Sequence, residues 1–249
     1  MHSIALTAAY FGQLPVWIDD FIETCKYNPT ITWFLFSDGT DPRNQAANFR
    51  FVPLTLAGFN NLAERRLGVR TAVSRPYKVC DFKPTYGALF GEHLQNFDFW
   101  GHCDLDVLWG DLRAFITEQM LTDVDVISTS AGGLCGPLTI YRNLDSINVL
   151  FLRAPYEQIL ADPANHIFDE QGFDTIVKQA CAAGELRLLL SNLHEYDGYH
   201  AGVPPGETAC VWRDGRVFCT PEQRELMYYH FAASKKWPWR TTWTPDATS

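Results

Sequence analysis

"FWGHCDLDVLWGDL", residues 99–112, decides how the rest of the chain is read. An apolar, aromatic run ends on two aspartates one residue apart, Asp104 and Asp106, and a third acid, Asp111, follows. In an extended segment residues i and i+2 point the same way, so both carboxylates can address one point. Holding two like charges together costs energy unless a cation sits between them. A hard divalent ion such as Mg²⁺ or Mn²⁺ suits oxygen ligands and keeps open positions for water and diphosphate oxygens. The competing reading is a pair of turn aspartates, with Asp111 capping the next helix. What stands around this stretch has to decide.

Working outward, strand-like and helix-like segments alternate. Residues 3–10 (SIALTAAY), 30–39 (TITWFLFSDG), 49–54 (FRFVPL) and 123–129 (DVDVIST) read as strands, and 137–143 (PLTIYRN) as an edge or return strand. Between the first two, Val16, Ile18, Phe21, Ile22 and Cys25 fall at helical spacing before Asn28-Pro29. LAGFNNLAERRLG predicts a helix ending at Gly68, and 80–96 turns helical after Pro84. This alternation predicts an α/β domain with a mainly parallel sheet whose ligand site lies beyond the carboxyl ends of the strands. From residue 144 the pattern becomes helical, then loop-like over 196–207. Residues 209–219 form a hairpin on Asp214-Gly215. With no internal repeat or linker, residues 1–249 are expected to form one domain: an α/β part over 1–143 and a C-terminal elaboration over 144–249.

Composition narrows the function. The 249 residues are 47% hydrophobic, enough for a sizeable core, and the net charge of −9 disfavours a general nucleic-acid binder. Seven scattered cysteines without a CxxC pair suit buried thiols in a reducing compartment. The first residues lack the basic start of a signal peptide, and no run reaches the roughly 18 apolar residues of a membrane span. A cytoplasmic protein is expected, at most at the inner face of the membrane.

Four segments, in order, resemble GT-A fold glycosyltransferases, especially retaining families 8 and 32 and related bacterial enzymes of surface-polysaccharide synthesis. GHCDLDV is similar to the strand-end DxD that binds Mn²⁺ and the donor diphosphate. CDFKPTYGALF places Asp81 and Lys83 where such enzymes contact the nucleotide, with Tyr77 and Lys78 nearby. FDEQGFDTIV (168–177) resembles the acidic-amide motif beside the reaction centre, with Asp169 and Glu170 at its key positions; the family more often has Gln where Glu170 stands. HFAASKKWPW (230–239) reproduces the spacing of a third metal ligand, His230, and a diphosphate-binding Lys236, although Ala233 replaces the usual Gly. The end of the first strand, with Ala8 and Tyr10, falls where the nucleotide base or ribose packs. Residues 128–139, Gly-rich but without a Rossmann or P-loop spacing, fall at the wall for the donor sugar or acceptor.

The resemblance implies a metal-dependent transfer of a sugar from a nucleoside diphosphate sugar, a UDP-sugar above all, to a hydroxyl of a saccharide or lipid-linked acceptor, with retention. Imidazole from His230 beside Asp104 and Asp106 favours Mn²⁺ over Mg²⁺. Asp169 or Glu170 would support the anomeric centre or orient the acceptor. The tail around Trp237 and Trp239 suits at most a weak membrane contact. Other readings compete on the residues, and a sugar-phosphate nucleotidyltransferase, which shares the broad fold, lacks its Gly-rich N-terminal loop here. A DxD phosphatase wants Thr or Val where Leu108 stands, with the motif near the start of the domain. A non-catalytic carbohydrate-binding scaffold would use the eight tryptophans as stacking platforms.

Overall fold

The computed structural model describes residues 1–42, 44–71, 73–192, 195–196, 210–219 and 224–232. Its centre is a seven-stranded sheet built from β1 (Ile4–Tyr10), β2 (Ile31–Ser37), β3 (Phe49–Pro53), β4 (Phe99–Cys103), β6 (Val126–Ser128), β7 (Leu138–Arg142) and β8 (Leu188–Leu190). A short strand outside this sheet, β5 (Val107–Trp109), directly follows the two aspartates. The order is β3-β2-β1-β4-β7-β6-β8, parallel except for β7, which runs against both neighbours. PLTIYRN is therefore the return strand inside the sheet and not an edge. This is the expected α/β layout, a mainly parallel, Rossmann-like sheet flanked by helices.

Alternation along the strands divides the core between two faces. Ile4, Leu6 and Phe99 pack on one side with Ile18, Phe21 and Ile22 of α1 (Ile18–Lys26). Ala5, Trp100 and Tyr141 face the other, against Phe59 of α2 (Leu56–Leu67) and Val177 of the Phe173–Ala182 helix. Trp100 stacks on Tyr141 with ring centroids 4.5 Å apart, a contact worth about 0.5–1.5 kcal/mol beyond its buried area. Local signals bound α2, which is capped by the Thr55 hydroxyl and closed by Gly68 in the left-handed conformation.

Several elements differ from their sequence pattern. Val16 lies before α1 and is 79% exposed, because the helix begins only after Pro15 and Trp17. The segment turns helical after Pro84 as expected, in two short helices, Tyr86–Leu89 and Gly91–Leu94, but a ten-residue 3-10 helix, Pro76–Thr85, precedes them and holds Pro84 inside it. The long helix suggested after residue 144 is three short pieces broken at Val149 and Pro155. The Asp214-Gly215 hairpin forms as expected between β10 (Cys210–Arg213) and β11 (Arg216–Cys219). Both turn residues have positive φ, as a two-residue primed turn requires.

The C-terminal strands return to the DxD region. β13 (Tyr228–His230) pairs antiparallel with β5, His230 opposite Val107, and parallel with β9 (Glu195–Tyr196). β12 (Arg224–Leu226) extends the hairpin. The indole N–H of Trp212 donates to the Trp109 carbonyl at 2.8 Å, and Gly110 N–H to the Met227 carbonyl at 2.8 Å.

Gly101, in the middle of β4, is required by close approach: a Cβ there would meet the Thr139 carbonyl at 2.6 Å and Leu6 Cδ2 at 2.9 Å. Gly101→Ala is expected to lower stability by about 1–3 kcal/mol through overpacking, read as a lower urea midpoint with an unchanged m-value.

Candidate active site

The strand order changes direction between β1 and β4, since β2 and β3 build out one way and β4 lies on the other side of β1. In open α/β sheets that switch point opens a crevice at the carboxyl ends of the strands. Here it is a cleft of about 660 Å³ with Ala8 and Tyr10 from β1 on one wall and Asp104 and Asp106 from the end of β4 on another.

Asp104, Asp106 and His230 come together there, each offering one ligand atom, all within 4.8 Å of one another. His230 Nε2 is 3.4 Å from Asp106 Oδ2. Two carboxylates and an imidazole make a donor set that fits a divalent cation of intermediate hardness, so these three residues could hold one. The backbone fixes the arrangement on every side. Asp104 N–H donates to the Pro137 carbonyl, Phe231 N–H to the Asp106 carbonyl, and the Trp17 indole to the Leu105 carbonyl between the two acids.

Beside this triad lies a second polar cluster. Lys83 Nζ is 2.8 Å from Asp104 Oδ1, 3.0 Å from the Gly136 carbonyl and 3.2 Å from Asp169 Oδ2. An ammonium has three protons, and Lys83 has three acceptors for them. Burial pulls its pKa down, but the carboxylates of Asp104 and Asp169 more than offset this and hold it well above the usual lysine value. Glu170 Oε1 accepts from Gly136 N–H at 2.8 Å. Gly136 is thus a hub, and a Cβ on it would meet Glu170 Oε1 at 2.7 Å and Lys83 Nζ at 3.1 Å.

Asp169 and Glu170 do not open an α-helix. They sit in a π-helical turn, Phe168–Gly172, that follows Ile167 at φ 52° and ψ 41°. A β-branched residue in the left-handed region costs about 1–2 kcal/mol, and such strain persists only where its surroundings over-determine it. Burial is the main cause that raises Asp169 to about 6. Lys83 works against it, while Glu170 and Asp104 push it further up. Folding therefore raises this acid above its ordinary 3.8, and the stability it withholds grows as pH rises between those values.

Asp81 needs correcting. Expected to touch the nucleotide, it is fully buried away from the cleft. Its carboxylate accepts from Lys78 Nζ at 2.8 Å and from the backbone N–H groups of His166 and Phe168 at 2.9 and 2.8 Å. Lys78 is equally buried, whereas Tyr77 stands on the cleft rim and is 74% exposed. Lys236 and the tryptophans of the tail lie outside the described residues. Sequence reasoning missed Trp17 and Gly136, although the latter falls in the Gly-rich segment noted as a wall.

The profile of a family of unknown function, DUF6625, matches residues 6–241. The chain belongs to the DUF6625 family. No curated protein matches this DUF6625 sequence. Among solved structures, an active-site mutant of LgtC overlays on it with a TM-score of 0.45 and 10% identity. That overlay covers 92% of this DUF6625 chain and 87% of LgtC.

The opposed influences on Asp169 can be separated by carboxyl-carbon NMR titration. In Glu170→Gln its midpoint is expected to move down, because a neighbouring negative charge is gone. In Lys83→Met it moves up, because the cation that favours ionisation is gone.

Proposed function

We propose that this chain is a metal-dependent glycosyltransferase that moves a sugar from a nucleoside diphosphate sugar, a UDP-sugar, to a hydroxyl of a saccharide or lipid-linked acceptor. One observation carries the reading. Two acids from the end of β4 and a histidine more than a hundred residues later meet in one cleft, directly beside a second pair of acids braced by a buried lysine.

The barrier to such a transfer lies in expelling the diphosphate while positive charge builds at the anomeric carbon. A bound Mn²⁺ or Mg²⁺ would supply neutralisation of the leaving diphosphate oxygens. Asp104, Asp106 and His230 would hold it. Ala8 and Tyr10 would line the nucleotide end of the cleft. Asp169 and Glu170 would face the reacting sugar, where a fixed carboxylate stabilises developing positive charge without reorganising. Lys83, expected to contact the nucleotide, lines the cleft with its protons committed to Asp104, Asp169 and the Gly136 carbonyl, so its role is to orient the two acids together. Lys236 is assigned to the diphosphate on the resemblance alone, as are retention and a place in surface-polysaccharide synthesis. No described helix is long and apolar enough to cross a membrane. A weak, peripheral contact at the cytoplasmic face would be enough for such a transferase to reach a lipid-linked acceptor.

Calorimetric titration of UDP, with Mn²⁺ and then with EDTA, tests this. UDP is expected to bind only with the metal and to weaken by about tenfold or more in Asp106→Ala and in His230→Ala. Transfer or hydrolysis of a sugar nucleotide should then be lost in the same variants. Silence from UDP, GDP and CDP alike would remove the nucleotide-sugar premise.

A further inference from the structure

The fully buried pair Lys78–Asp81 has no place in the cleft, yet it joins two segments of chain with unusual completeness. Lys78 Nζ donates to Asp81 Oδ2 at 2.8 Å, to the Ile159 carbonyl at 2.6 Å and to the Ala164 carbonyl at 2.7 Å. Asp81 Oδ1 accepts from Phe168 N–H at 2.8 Å, and both its oxygens lie within reach of His166 N–H. The two side chains are 2% and 0% exposed. Every proton of the ammonium and both oxygens of the carboxylate are engaged, and apart from the bond between the two residues, every partner is backbone of residues 159–168.

Those partners bracket the strained point. His166 and Phe168 flank Ile167, the residue at φ 52°, and the turn that follows carries Asp169 and Glu170. Stability alone does not explain such a pair, since a buried ion pair is often matched or bettered by well-packed apolar side chains. What an apolar pair could not supply is two acceptors aimed at the amides on either side of a left-handed residue. We infer that Lys78 and Asp81 are positioning residues: they latch the 159–168 segment to the 3-10 helix and so set where Asp169 and Glu170 stand against Lys83 and Gly136.

The inference rests on the transferase reading only for its catalytic consequence. Its geometric content can be read at Gly136, whose N–H donates to Glu170 and touches neither latch residue. Two full-chain variants serve: Asp81→Asn, which keeps one acceptor oxygen, and Lys78→Met/Asp81→Leu, which removes both charges together. Residue-resolved amide exchange by NMR is expected to show His166, Phe168 and Gly136 exchanging roughly tenfold faster or more in the double variant. The effect should be smaller in Asp81→Asn, with the amides of β4 and β7 unchanged. Mn²⁺ binding, measured with the metal alone, should stay within about twofold because none of its three candidate ligands touches the latch. Turnover of a sugar nucleotide should fall in kcat by about tenfold or more, with KM little altered, as misplaced catalytic groups predict. Unchanged exchange at Gly136 overturns the inference. So does loss of Mn²⁺ binding together with the fold in both variants, which makes the pair a stability element only. If the wild-type chain turns over no sugar nucleotide, the transferase reading fails, and exchange at Gly136 still decides the latch.

Discussion

One buried ammonium holds the site together. Asp104, Asp106, Asp169 and Glu170 converge on a single cleft, and carboxylates at such spacing repel strongly where water is excluded. Lys83 answers that repulsion from within, bonding one acid of the Asp104–Asp106–His230 triad and one of the second pair while the Gly136 carbonyl takes its third proton. Without it the two halves of the site would have no common reference. The end of β4, the Gly-rich wall and the π-helical turn each bring one of these three oxygens to the point where the 3-10 helix places the ammonium.

The sheet explains why that point exists. Reversal of strand order beside β1 leaves the ends of β1 and β4 uncovered by helices, and the sequence then has to place chemistry only at those two ends. Ala8, Tyr10, Asp104 and Asp106 need no long loop to reach the cleft because strand geometry delivers them. Asp169, Glu170 and His230 have no such help. They are brought in by a strained turn and by a strand pairing across a long stretch of chain, and both devices are correspondingly elaborate.

The same contrast governs what could be read from the amino acids alone. Apolar runs of four to eight residues ending on acids or turn residues revealed the strands, and the i, i+2 spacing of Asp104 and Asp106 gave their common direction. His230 came through the resemblance, and the pairing of β13 with β5 supplies the physical reason it arrives. Asp81 could not be judged from its neighbours in sequence. An acid near a helix start looks the same whether it faces a ligand or two distant amides, and only the fold brings His166 and Phe168 beneath it. Ile167 gave no signal at all, since β-branched residues are the last expected in a left-handed conformation. Gly136 was legible as part of a glycine-rich segment, but its crowding by Glu170 and Lys83 arises from residues far away in the chain.

The pairing of His230 with Val107 also bears on when the protein becomes competent. Contacts between residues so far apart in sequence are entropically costly to close and tend to form late. During synthesis the acids of β4 leave the ribosome long before the histidine that completes their set. A chain at that stage can own a folded sheet and still lack the finished triad. Completion of the triad therefore reports that the chain has folded as far as β13: a molecule stalled earlier presents two acids without the third candidate ligand.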